Sequence, residues 1–257
     1  KNWLKEFFLD IKIEQSLSEV EKLTIRLKEL FELNEGFVVA LNGEWGVGKT
    51  HFWNKFIEEN FTTEEERKNI AYVSLFGKDK LTDIESDIIM QVSRTAKIKG
   101  YLDNSIGSIG YAGFKVSNVL SLIPKVNFKN IVICFDDFER KSSKIDSKDI
   151  LGLISQFKEQ KNSKVIMIYN QTEIGDKEIL SDYKDKVIDY ELHYKPTVEE
   201  SYQAVSKRLK VFNDYPLEYL KSKGINNIRV IKRLINALND FKYRLRKLKD
   251  NQDIEEE

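Results

Sequence analysis

The stretch FVVALNGEWGVGKT, Phe37–Thr50, decides how the rest of the chain is read. Phe37 to Leu41 is an uninterrupted apolar run, the pattern of a strand buried on both faces. Asn42 and Gly43 end it. Gly43, Gly48, Lys49 and Thr50 then satisfy G-x-x-x-x-G-K-[ST], and His51 to Glu59 reads as a helix. Glycine lets the backbone curl until successive N–H groups face one anion. The helix start adds its partial positive charge. On this reading Gly43, Glu44, Trp45, Gly46, Val47, Gly48, Lys49, Thr50 and His51 form a phosphate-binding loop and helix start. Lys49 reaches the β- and γ-phosphates, and Thr50 offers its hydroxyl to Mg²⁺. The competing reading is a chance glycine turn, against which strand, spacing, Lys–Thr pair and helix all agree.

The composition sets the frame around that loop. At 257 residues the chain fits one large domain, or one domain with a small appendage. Lys+Arg and Asp+Glu are equal at 42 each, so no overall charge draws it to nucleic acid or an anionic membrane; local basic patches are not excluded. One cysteine, Cys134, excludes a disulfide framework and predicts a reducing, cytoplasmic setting. The chain opens on Lys1 and closes on the charged run Glu255–Glu257, so more protein is expected beyond one or both ends. No signal-peptide pattern is visible.

Upstream of the loop, the apolar stretch Lys1–Ile13 is expected to pack on something. Ser16 and Glu19 read as a capping box, and Val20, Leu23, Leu27, Leu30 and Phe31 follow at helical steps. Downstream, Glu64 to Lys68 reads as a charged surface loop and Ile70 to Phe76 as a strand. Thr82 and Glu85 read as a second capping box ahead of Ile84, Ile88, Ile89 and Val92. Gly100 to Pro124 has nearly the length of a membrane span. Asn104, Ser105, Ser108, Ser117, Asn118 and Ser121 make it polar, so packing on the domain or on another subunit is the expectation.

Ile131 to Phe135 is a β-branched and aromatic run of the kind a central parallel strand shows, and it ends in Asp136 and Asp137. After a phosphate loop, such a strand supplies the second motif: Asp136 for the Mg²⁺ shell and Asp137 to polarise attacking water. A solvated acidic turn is the competing reading. A helix over Asp149–Gln160 leads to the strand Lys164–Tyr169, whose tip carries Asn170. That amide can touch the γ-phosphate or the water, or it is an ordinary turn residue. Val187–Leu192 reads as the last strand. His51 and His193 lack metal-ligand spacing. From Pro196 onward, with Thr197 and Glu200 as a capping box, helices are expected over Val198–Phe212, Pro216–Lys221 and Asn227–Lys249. Arg229 near the start of the last can sense phosphate from this lid; with Lys232 and Arg233 it can instead form a solvated face or touch nucleic acid.

These elements predict an α/β fold: a parallel-sheet P-loop NTPase core in three layers, followed by a small C-terminal helical lid. The expected division is an N-terminal helical segment over 1–34, a core over 35–195 and a lid over 196–257. The reaction class is attack on a γ-phosphate, with ATP preferred because no Asn-Lys-x-Asp guanine signature is present.

GEWGVGKT, the strand IVICFDDFER with its paired acid followed by Glu139 and Arg140, and the late helix NNIRVIKRLINAL together resemble the KAP family of P-loop NTPases, grouped with STAND and AAA-like ATPases. YVSLFG is similar to bacterial members. The resemblance covers about Phe37 to Asp240, and its acidic motif reads DDFER where the family is closer to DDLDR. It implies ATP, Mg²⁺, self-assembly into a homo-oligomer and, for bacterial members, anti-phage defence. Asp136, Asp137, Asn170 and Arg229 take their family roles by matching position. Membrane insertions occur in the family where Gly100–Pro124 lies, but its polarity argues against membrane attachment. Arg140 completes a site in this or a neighbouring subunit, or pairs with a nearby acid. The leading expectation is an oligomeric ATPase switch in defence or signalling. The alternatives are a non-hydrolysing nucleotide-gated scaffold for a separate effector protein, and a DNA-binding loader-type ATPase motivated by the basic residues of the last helix.

Overall fold

The computed structural model describes residues 17–92, 131–175, 177–209 and 215–255. The expectations for Lys1–Ile13, Ser16 and Gly100–Pro124 fall outside them. The chain divides into two units. Of the described residues, one comprises those within 26–43 and 50–193; the other holds 17–25, 44–49 and those from 194 onward.

The first unit is built on one parallel sheet of β1 (Phe37–Asn42), β2 (Ile70–Ser74), β3 (Val132–Asp136), β4 (Lys164–Tyr169) and β5 (Tyr190–His193). Its strand order is β2-β3-β4-β1-β5. β1, β3 and β4 are inner strands and bury nearly every residue, which is why each appears in the sequence as a continuous apolar run. β2 lies at an edge and alternates between half-buried and buried positions, with Ala71 and Val73 turned into the core. The register levels the carboxyl ends of the strands: Asn42 pairs with Tyr169 and Ser74 with Asp136. The tips that carry Asn42, Ser74, Asp136 and Asn170 therefore share one edge of the sheet.

Flanking helices close the core: α1 (Glu19–Phe31), α2 (Lys49–Asn60), a one-turn α3 (Glu64–Arg67), α4 (Leu81–Val92), α5 (Ser147–Lys161) and α6 (Lys177–Val187). Phe31 at the end of α1 meets Phe37, Trp53, Phe56 and Phe61, an aromatic cluster beside the start of the sheet. Ile84, Ile88 and Ile89 on α4 and Ile150, Ile154 and Phe157 on α5 fill the main core with Ile133, Phe135, Val165 and Met167.

The second unit is helical. α7 (Val198–Ser206), α8 (Tyr215–Lys223) and the long α9 (Ile228–Glu255) share a small core of Tyr202, Val205, Leu220, Ile228, Ile231 and Ile235. This α/β core with its helical C-terminal part is the expected fold class.

Several local expectations are corrected. The surface loop at Glu64–Lys68 contains α3, because Thr63 and Glu66 cap each other reciprocally. The box expected at Thr82 and Glu85 does not cap, since the helix already starts at Leu81 and Glu85 lies on its buried face. At the start of α1, Ser18 and Glu21 exchange capping bonds at 2.8 and 3.2 Å. The last strand begins at Tyr190. Val187 ends α6, where it and Tyr183, four residues apart, face the core at helical rather than strand spacing. The capping box at Thr197 and Glu200 is present.

Candidate functional site

Residues 44–49 of the loop belong to the second unit, and Gly43, Thr50 and His51 to the first. Gly46 and Gly48 hold φ values of +78° and +108°, which an L side chain rarely adopts. Glu44 and Trp45 are exposed, while Val47 and Lys49 are buried. The Lys49 ammonium donates to the Glu44 carbonyl at 3.0 Å. The next two carbonyls are held from the start of α9: Asn227 Nδ2 donates to Trp45 O at 2.9 Å, and Ile228 N to Gly46 O at 2.7 Å. Gly43, at the end of β1, donates its N–H to Tyr169 O at 3.3 Å. His51, one residue past Thr50, is exposed. Arg229 is exposed in the first turn of α9, its backbone N–H capped by Asn227 Oδ1.

The acids gather in the first unit at the tips of β2 and β3. Thr50, in the first turn of α2, donates its hydroxyl to Asp136 Oδ2 at 2.6 Å, across 86 positions of sequence. Tyr72 OH donates to the same oxygen at 2.7 Å, and the Asp137 N–H donates to Oδ1 at 2.7 Å. Asp136 is buried and bound by three donors. Burial and the Asp136 charge push the Tyr72 phenol far up, so it stays protonated. Asp137 takes a left-handed backbone, φ 58°, which Asp tolerates better than most residues. Its Oδ2 accepts from Ser74 Oγ at 2.8 Å, and its Oδ1 faces Arg140 Nη1 at 3.4 Å. The Arg140 guanidinium also lies 3.9 Å from the centre of the Phe76 ring. Within this chain, then, Arg140 pairs with a nearby acid.

Asn170 follows β4, the strand that separates β1 from β3 in the sheet. It is buried, and its Oδ1 accepts from Thr172 N and Thr172 Oγ1 at 3.2 and 2.8 Å. Asn42 at the tip of β1 is tied to Gln171 through both its amide atoms, at 2.9 and 3.1 Å. Sequence reasoning missed Tyr72, Ser74, Asn42 and Asn227. Tyr72 and Ser74 sit two apart, so they share a face of β2, and only the register with β3 reveals their acidic neighbours.

A Thr hydroxyl and a buried carboxylate are hard oxygen donors, and Mg²⁺ takes one or two such protein oxygens while keeping several waters. The Thr50–Asp136 pair fits that cation. No group of three or more His, Cys, Asp or Glu residues suited to a metal occurs among the described residues. A cleft of about 630 Å³, lined by Phe31, Phe56, Asn60 and Lys164, lies by the first residues of β3 and β4, away from the acids.

Strand order, loop and acid pair together define a P-loop NTPase core. Within it, residues 19–104 match the model of the KAP family P-loop domain. Among solved structures, Cdc6p from Pyrobaculum aerophilum aligns with a TM-score of 0.50 at 16% identity, covering 73% of this chain and 47% of that one. The Aeropyrum pernix ORC2 protein, solved in ADPNP–ADP complexes, aligns with a TM-score of 0.47 at 20% identity, covering 74% and 50%. The chain thus spans about half the length of these structures. At such identity the Cdc6p likeness speaks for the fold alone. No curated protein matches the chain. No helix among the described residues is long and apolar enough to cross a membrane.

Proposed function

We propose that this chain binds ATP with Mg²⁺ and hydrolyses it, and that it works as an oligomeric switch. The observation that carries the reading is the 2.6 Å bond from Thr50 to Asp136, which joins the end of the phosphate-loop motif to the acid of the second motif. The amides of the loop between Gly43 and Thr50, together with His51 beyond it, hold the phosphates. Lys49 neutralises charge on the β- and γ-phosphates. Thr50 and Asp136 hold Mg²⁺, which when bound screens the charge developing on the transferred phosphoryl group. The Asp137 carboxylate orients the attacking water. Asn170 has its oxygen committed to Thr172, so Nδ2 is the atom it offers to phosphate or water. Arg229 senses the γ-phosphate from the helical lid over residues 196–257.

The wider setting, a cytoplasmic machine of bacterial anti-phage defence or signalling, draws its support from the KAP match and the resemblance to bacterial members. Mass measurement with and without ATP tests the self-assembly. A second reading, a nucleotide-gated scaffold that does not hydrolyse, is favoured by one observation: Ser74 and Arg140 already engage Asp137. Phosphate release by Asp137→Asn separates the two. The ATPase reading expects a loss of about 10²-fold or more with ATP binding retained. If wild type releases phosphate no faster than the variant while both bind ATP, the scaffold reading stands.

A further inference from the structure

We propose that Asn227 and Ile228 are positioning residues that set the phosphate loop from outside it, so that the start of α9 governs nucleotide affinity. The inference rests on the reading of Gly43–His51 as a nucleotide site and adds its regulation. In a planar trans peptide the carbonyl of one residue and the N–H of the next point in opposite directions, and no described peptide is cis. Holding the carbonyls of Glu44, Trp45 and Gly46 therefore fixes where the N–H groups of Trp45, Gly46 and Val47 point. Lys49 holds the first carbonyl, Asn227 the second and Ile228 the third. Two of these three anchors lie at the start of α9, one as its cap and one as its first residue.

The same Asn227 side chain also starts that helix. Its Oδ1 accepts from Arg229 N at 3.0 Å and Val230 N at 3.3 Å, the bonding of a helix cap. Ile228 is buried against the Tyr202, Val205, Leu220, Ile231 and Ile235 cluster, so the link continues into the helical core. Both loop glycines combine a positive φ with a close approach to these side chains. A Cβ at Gly46 would lie 2.4 Å from the Asn227 amide, and one at Gly48 would lie 2.4 Å from Ile228 Cδ1. Because coupling is reciprocal, nucleotide in the loop firms the start of α9, and any force that lifts α9 loosens the nucleotide.

The test uses Asn227→Ser, which keeps a capping oxygen but loses the donor to Trp45 O. ATP binding is expected to weaken about tenfold, with the fold retained and at most a small fall in melting temperature from the lost bond. Ile228→Pro removes the N–H to Gly46 O at the first helical position, where proline is tolerated, and Ile228→Val controls for the lost packing. The proline variant should bind ATP about tenfold more weakly than the valine variant. In wild type, ATP should slow hydrogen exchange of the Ile228 amide, and in Asn227→Ser it should not. If the serine variant melts early, the proline–valine pair decides. Wild-type affinity in Asn227→Ser, or equal affinity in the Ile228 pair, overturns the positioning role alone. A wild-type protein that binds no nucleotide overturns the nucleotide reading and this proposal with it.

Discussion

Tyr72 donates its phenolic hydrogen to Asp136 Oδ2, the oxygen that also accepts the Thr50 hydroxyl. Two hydroxyls thus occupy one oxygen of the carboxylate proposed to hold Mg²⁺, and a cation taking that oxygen would have to displace or share one of them. Tyr72→Phe is expected to cost about 1.5–3 kcal/mol of stability without ligand, the worth of a hydrogen bond to a charged group. It should also lower the Mg²⁺ concentration needed for half-maximal ATP binding. Urea unfolding and a Mg²⁺ titration check the two parts; an unchanged or higher Mg²⁺ requirement would show that Tyr72 prepares the acid rather than competing for it.

The loop should tolerate no side chain at Gly48. Its φ of +108° and the nearby Ile228 methyl both oppose one. Gly48→Ala is expected to cost about 1–2 kcal/mol in backbone strain and to abolish measurable ATP binding, while the sheet keeps its far-UV circular dichroism. Gly152→Ala is the control, because a Cβ there meets nothing within 4 Å; it should bind ATP as wild type does.

Glu85 gives a pH prediction. It is buried on α4, and desolvation raises its carboxyl above the ordinary value of 4.5. The folded protein therefore holds the Glu85 proton to higher pH than the unfolded chain does, and stability falls as pH climbs from the unfolded value through the folded one. Glu85→Gln should melt higher than wild type at pH 7, and the gap should close near pH 4, where both side chains are neutral. Thermal melts at the two pH values decide it; a variant less stable at pH 7 would mean that the charge has a partner worth more than its burial costs.

The fold was most legible where burial is complete. Lys164–Tyr169 reads as a strand to its exact ends because an inner strand of a parallel sheet needs apolar residues on both faces. Val187 misled because one apolar residue belongs equally to the last turn of a helix and the first residue of a strand. Thr82 and Glu85 misled because the spacing of a capping box recurs inside helices. In the site, Thr50 and Asp136 were legible as two motifs, and the structure brings them to 2.6 Å. Ser74 and Tyr72 were not, since their chemistry is ordinary until β3 is laid beside β2. Asn227 looked like a plain helix start; that its amide also holds Trp45 O is a tertiary fact that no local pattern carries.

Cys134 lies in the middle of β3, fully buried, with its thiol pushed well up by that burial. It is the sole cysteine of the chain. A thiol reagent can reach it only when the structure that buries it opens, so the labelling rate reports opening of the core around β3 with no probe introduced. Fraying at the rims and motion of the loops leave that clock silent. Slower labelling with ATP than without it would put a number on how far the nucleotide steadies the innermost layer of the molecule.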